Sequence, residues 1–477
     1  MVVGRARLAE TRARVSGEAD ASRRGEYREG GSTAAEPAGD AEGRLAELGT
    51  LLLDGGVSVT DTRRSLERVR DAQLPGEPLH FFVFPGTVMI SRGERSGPIH
   101  GGGPALGGLT TWQASRGLRL VRELERKQLG LDASTARIRS IRQHCAAHPD
   151  LAWTLGSALI AVGLAVLFHC PWWAIVLSAL TGVVVGFVSA VMGRITQAAG
   201  IVPFAATFLS TVLVGLSANW LGLGPVPLFA VCAPIAILVP GAMITNALLE
   251  LTSDDIVTGS ARLVSGLVVL GFMTAGIIAG SALTGLRLDP GSAALIGDTP
   301  ATLAAGGAGW AALPPPWFAW AGVVALACGI GSAFGAGQRL TVVSIAAMVV
   351  AFGLLTLLTP RLGSIVATGL TAAILFLVSR LLERAPATVP SAVSFQPAFL
   401  LLVPGTVGLV ALTTLDPSAL STTPLTFVSL CIGTKAGAVL ADADWRRLLP
   451  RGRVGSGSNG IRVGRVTEDG RLEHGRA

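Results

Sequence analysis

Charge is scarce in this sequence: Asp, Glu, Lys and Arg make up 14% of its 477 residues, against about 25% in a typical soluble domain. The deficit is concentrated between residues 151 and 441, while the first 150 residues and the C-terminal tail carry most of the charge. A soluble fold of this length needs a charged surface throughout, so the pattern excludes one and points to a membrane protein with polar ends. Cysteine is also rare. Cys145, Cys170, Cys232, Cys328 and Cys431 form an odd, scattered set with no CxxC pair, which excludes a disulfide framework and a cysteine metal site. Three of them lie in apolar runs, where cysteine packs as a small hydrophobe. There is no Walker A, GxSxG or HExxH sequence, so ATP-driven transport and the familiar hydrolase chemistries lack their signatures. "GGGP" (Gly101–Pro104) has no GK[ST] to make it a phosphate cradle, and "HCAAH" (His144 to His148) has no third ligand nearby. No metal or cofactor is expected. The N-terminal arginines precede no apolar h-region, which predicts that no secretory signal peptide is removed.

What is present is a polar beginning and then one apolar segment after another. Residues 1–42 are rich in Arg, Glu, Ala, Gly and Ser and are expected to be disordered. Residues 43–128 read as a small cytoplasmic α/β domain. Leu45, Leu48, Leu51 and Leu52 recur at helical spacing up to "DGG" (Asp54–Gly56). A second helix starts near Thr60, with Asp61 in its first turn and Leu66 and Val69 on one face. "LHFFVF" and "TVMIS", joined by Pro85-Gly86, read as strands, and a further helix covers Ala114 to Lys127. Residues 129–150 form a juxtamembrane linker carrying Arg137, Arg139 and Arg142.

Ten spans follow, each near the ~20 residues that cross a hydrocarbon core. Five fill a first module, 151–286, at 151–169, 172–192, 201–223, 226–249 and 263–286. A Gly/Pro-rich linker on the outer face, 287–316, separates them from a second module, 317–441, with spans at 317–336, 340–359, 362–382, 395–414 and 421–441. Residues 442–477 are expected to be a disordered cytoplasmic tail. The fold class is therefore mostly α: a polytopic membrane protein with ten transmembrane helices. If the N-terminal unit is cytoplasmic, the inner side receives Arg194, Arg262, Arg339, Arg380 and Arg384 with Arg446, Arg447, Arg451 and Arg453, and the outer side only Arg287 and Arg361. This is the positive-inside asymmetry, with both termini cytoplasmic and a multi-pass chain in the plasma membrane. The net charge of +7 lies beside spans without interleaved aromatics, which suits an anionic bilayer surface and not nucleic acid.

The sequence "LVPG" occurs at Leu238–Gly241 and again at Leu402–Gly405, in the fourth span of each five-span module. With an odd number of spans per module, the two copies enter the membrane from opposite sides. That is an inverted-topology repeat, in which paired helix breaks mark the substrate site of secondary transporters. Pro240 should leave the carbonyl of Ala236 without its helical donor, and Pro404 that of Leu400. Half-helices starting at Gly241 and Gly405 would present free amides. Free carbonyls suit an ammonium and free amides a carboxylate, so the pair suits a zwitterion. Read singly, each Pro-Gly is an ordinary kink in a packed helix. Thr245, Asn246 and Thr406 lie close enough to reach a substrate hydroxyl. Glu250, Asp254, Asp255 and Lys435 are candidates for proton coupling or charge pairing, although Lys435 can equally snorkel and Asp254 can cap a helix. Asn219, Ser210 and Thr207 suit helix packing as well as function. The other functional classes are a membrane enzyme using Asp254 and Asp255 and a sensor with a soluble reporter unit.

The chain resembles the threonine/serine exporter family from about residue 43 to 445. The resemblance is carried by "LGTLLLDGGVSVTDTRRSLERV" (Leu48–Val69), "HFFVFPGTVMIS" (His80–Ser91), "SDDIVTGSARL" (Ser253–Leu263) and the two five-span modules with their "LVPG". It implies export of threonine and serine driven by the proton motive force, with the bilayer and a small molecule as partners and no catalysis. Some relatives carry the modules as separate chains, and split relatives are linked to dicarboxylates, which makes dicarboxylate export the alternative. A homo-oligomer is compatible with this reading.

Overall fold

The computed structural model describes residues 39–93, 100–101, 108–144, 148–195, 200–253, 255–289, 309–383, 398, 401–402, 409 and 417–442. The first helix, α1 (Gly39–Asp54), begins earlier than composition suggests. Glu42, inside the expected disordered tail, is buried and ion-paired with Arg92 at 2.7 Å. α2 (Val59–Gln73) is capped by Ser58, whose hydroxyl accepts the Asp61 amide. The two expected strands, β1 (Leu79–Phe84) and β2 (Thr87–Arg92), pair antiparallel, and β3 (His100–Gly101) pairs with β2. α3 (Thr111–Glu125) opens on a capping box formed by Thr110 and Gln113. α4 (Ser134–Gln143) follows a single 3₁₀ turn. Leu45, Leu48, Leu52, Leu66, Val69, Val88, Ile90, Leu124 and Ile138 share one apolar core, and burying each such side chain stabilises by about 1.5–3 kcal/mol. The Gln113 side-chain amide donates to the carbonyls of Ile141 and His144, both at 2.9 Å, and ties α3 to α4.

The apolar helices are α5 (Pro149–Leu167), α6 (Trp172–Met192), α7 (Val202–Leu221), α8 (Leu228–Ile235), α9 (Gly241–Leu251), α10 (Ile256–Thr284), α11 (Phe318–Ala333), α12 (Gly337–Leu362), α13 (Ser364–Glu383) and α14 (Pro417–Asp442). Among the described residues seven are long and apolar enough to cross a membrane, or eight if the bent pair α8–α9 counts as one span. The ten expected spans are not all found as such: the fourth is the bent pair α8–α9, and helix lengths vary widely. α11 has only 16 residues, and α10 runs for 29. α11 stops early because the chain turns at Phe334–Gly335, where the carbonyls accept the amides of Thr111 and Trp112 from α3. Of the expected span 395–414, Ala398, Leu401, Leu402 and Leu409 are described, and all are buried.

Large apolar side chains such as Leu180, Phe187, Val264, Val342 and Ile432 point outward from the bundle, as lipid-facing positions do. Small residues line the inside. A side-chain carbon on Gly156 would meet Gly329 and Ala333, and one on Gly163 would meet Gly322 and Leu326, at 2.7–2.8 Å. α5 and α11 therefore touch backbone to backbone along an antiparallel seam. α7 and α10 meet in the same way at Gly276 and Gly280, against Thr207 and Thr211, and α13 and α14 meet at Gly369 and Gly433. Ser210 donates to the Val231 carbonyl at 3.0 Å and Asn219 to the Thr284 carbonyl at 2.7 Å. Thr207 bonds within its own helix. All three serve packing.

Candidate functional site

The fourth apolar segment contains a second proline that sharpens the break. Pro234 lies inside α8 and removes the donor that the Ala230 carbonyl would use. The buried Ser178 hydroxyl of α6 donates to that carbonyl at 3.4 Å. The chain then tightens into a 3₁₀ turn at Ala236–Leu238, extends at Val239, and resumes as α9 at Gly241, bent by 65°. This corrects one expectation: Ala236 does not hold a free carbonyl, because the Val239 amide donates to it at 3.2 Å. In an i→i+3 pattern it is Ile237 whose donor Pro240 cannot supply. Gly241 is buried, and no side chain caps the start of α9.

Thr245 is fully buried and donates its hydroxyl proton to the Gly241 carbonyl at 3.0 Å. Its acceptor lone pairs are what remain to meet a substrate hydroxyl. Asn246, half-buried on the next position, makes no hydrogen bond among the described residues. Leu400, Pro404, Gly405 and Thr406 lie outside the described residues, as does Asp254.

The end of α9 is where the candidate charges gather. Glu250, read from sequence as part of an interfacial cluster, is 1% exposed. Its Oε1 accepts from the Arg262 guanidinium at 2.5 Å and from the Val59 amide at 3.5 Å. Its Oε2 is buried and has no partner among the described residues. Asp255 accepts the Thr60 hydroxyl. The turn is pulled tight by the amides of Ser253 and Asp255, both donating to the Glu250 carbonyl. Lys435, two turns before the end of α14, donates to the Ser253 hydroxyl and makes no ion pair among the described residues.

Sequence reading missed three members of this cluster. Arg262 had been counted only as an inner-side charge. It sits two turns into α10, antiparallel to the last turn of α9, and that geometry brings it back onto Glu250. Val59 and Thr60 come from the first turn of α2, whose unsatisfied amides and positive dipole end favour carboxylates. A helix N-terminus in one segment and an acidic turn in another are each visible in sequence, but their pairing is not. Among the described residues no group of three or more His, Cys, Asp and Glu is placed to hold a metal.

Residues 44–284, about half of the chain, match the family model described as "Putative threonine/serine exporter". No curated protein and no solved structure matches. The matched region runs from α1 to Thr284, the last residue of α10.

Proposed function

The chain belongs to this threonine/serine exporter family, and from that membership we propose that it exports threonine and serine across the plasma membrane, driven by the proton gradient. One arrangement carries the reading: a helix broken at Pro240–Gly241 whose second half ends on the buried carboxylate of Glu250. The two lie roughly 14 Å apart along α9 at 1.5 Å per residue. The start of α9 offers backbone amides to a substrate carboxylate, and Ile237 and Asn246 offer polar groups to its ammonium and hydroxyl. The second break, at Leu400, Pro404, Gly405 and Thr406, supplies the opposing half of the site.

Glu250 is the proton carrier in this reading, with Asp254, Asp255 and Lys435 setting the local charge. Ionised, its Oε1 holds both Arg262 and the first turn of α2, while Oε2 is the oxygen left to take a proton. Protonation weakens both attachments, because charge-assisted hydrogen bonds are about twice as strong as neutral ones. The N-terminal helices then loosen from the bundle and the cytoplasmic entrance opens. No catalytic step is assigned to any residue.

The architecture is ten spans in two inverted modules of five, with both termini cytoplasmic. Three observations support it. Gly156 meets Gly329 and Gly163 meets Gly322, the reciprocal contact that a two-fold axis in the membrane plane produces. The third and fifth helices of each module pack through glycines, α7 with α10 and α13 with α14. The family match stops where the first module ends.

Reconstituted vesicles carrying the full chain test the reading with labelled threonine, serine and succinate under an imposed pH gradient. Threonine and serine should accumulate and succinate should not. Glu250→Gln should abolish gradient-driven accumulation while retaining threonine exchange, and Pro240→Ala and Pro404→Ala should reduce both by 10-fold or more. Accumulation in Glu250→Gln equal to the parent's overturns the coupling assignment, and succinate in place of threonine overturns the substrate.

A further inference from the structure

A second site lies outside the membrane helices, in the N-terminal segment. α3 and α4 pack at an angle that leaves a cleft of about 220 Å³, lined by Trp112, Arg116, Arg119, Glu123, Arg137 and Ser140 over a floor of Leu120 and Ile141. The lining follows from helical spacing: Arg116, Arg119, Leu120 and Glu123 recur at i, i+3, i+4 and i+7 on α3, and Arg137, Ser140 and Ile141 at i, i+3 and i+4 on α4. Leu120 and Ile141 are buried in the shared core, so the arginines project from a rigid base.

The charges here are arranged unlike their neighbours. Arg44, Arg68, Arg92 and Arg142 in the same segment are each ion-paired, with Asp132, Glu125, Glu42 and Asp54. Among the described residues Arg116, Arg119 and Arg137 have no carboxylate partner, although Glu123 lines the same cleft. Arg116 is held over the Trp112 ring at 5.0 Å, and His144 stacks on that ring at 4.1 Å. Three guanidiniums facing one carboxylate leave an excess of positive charge in a concave site. Guanidinium forks match the oxygens of a phosphate group, which carries up to two negative charges near neutral pH.

We propose that the cleft between α3 and α4 binds a phosphate group, through Arg116, Arg119 and Arg137. The Trp112 amide donates to the Gly335 carbonyl at the end of α11, so the cleft opens beside the end of a membrane helix. Its position allows the phosphate to come from an anionic lipid headgroup or from solution. The site is independent of what the membrane helices transport.

The test uses the full-length protein purified in detergent, with the variant R116Q/R119Q/R137Q and a control, Arg126→Gln, at an exposed position outside the cleft. One arm measures retention of phosphatidic acid against phosphatidylcholine by native mass spectrometry. The other measures inorganic phosphate binding by calorimetry. A lipid site predicts selective retention of phosphatidic acid that falls 10-fold or more in the triple variant, with the control unchanged. A solute site predicts phosphate binding lost in the same variant. If the triple variant does not fold, Arg119→Gln and Arg137→Gln, both at exposed positions, should each weaken binding about 3-fold. Parent protein that binds neither ligand, or variants that bind as the parent does, overturn the proposal.

Discussion

The seam between α5 and α11 and the junction between α2 and the Glu250 turn are both buried contacts between distant parts of the chain, made by opposite means. In the seam, glycines bring two backbones together and no side-chain bond is needed. In the junction, one backbone amide and one hydroxyl from the start of α2 meet an acidic turn, whose buried carboxylate is ion-paired with Arg262 of α10. A seam of close-packed backbone gives only by losing its packing, and any added atom must displace main chain. A junction of a few polar bonds can part without displacing main chain. Of the two contacts, only the junction has the chemistry of a moving part.

The largest effect should come from filling the seam. Gly163→Leu would drive a side chain into the Gly322 carbonyl and the Leu326 amide. The yield of monodisperse protein on size-exclusion chromatography should fall 10-fold or more, while Leu155→Ala on the outward face of the same helix leaves it near the parent's. Next is the ion pair. Arg262→Gln strands a buried carboxylate, which costs about 3–5 kcal/mol. Glu250→Gln in the same chain should recover much of that loss in thermal unfolding, because the uncompensated charge is gone. If the two changes are simply additive, Arg262 and Glu250 are not energetically coupled.

A smaller change separates the regions directly. Thr60→Val removes the hydroxyl on Asp255 at a cost of about 1 kcal/mol, so amide exchange in the first turns of α2 should quicken about 5-fold. Exchange along α5 and α11 should stay as it was, and acceleration there would mean that the two contacts are one cooperative unit. Ser178→Ala should do least. It removes the hydroxyl that donates a long hydrogen bond to the Ala230 carbonyl, and thermal unfolding should show a loss of about 0.5 kcal/mol, at the lower end for such bonds.

Local signals were legible in the chain and survived folding. "LHFFVF" and "TVMIS" are strands because their aromatic and β-branched residues alternate around Pro85-Gly86. Ser58, followed by Asp61, starts α2. The break at Pro240–Gly241 is where the proline demands it, since a missing donor needs no tertiary partner to act. Other readings failed, some at a local turn and some where a distant residue intervened. α11 ends short of a full span at the left-handed Gly335 (φ +61°), and the carbonyls just past it accept the first amides of α3. Ala236 lost its free carbonyl to a local tightening that neither periodicity nor composition signals. Arg262 looked like a topological charge until the α9–α10 turn folded it onto Glu250.

By itself, then, the sequence determined that this is a helical membrane protein with a broken fourth segment and a polar N-terminal unit. Hydropathy, proline chemistry and strand alternation act within a few residues of their cause. Tertiary structure alone decided which carboxylate is buried, which arginine neutralises it, and that the start of α2 meets that carboxylate. Those outcomes depend on helix ends meeting across long stretches of chain, where the cost of burying a charge is set by whichever partner the fold brings to it.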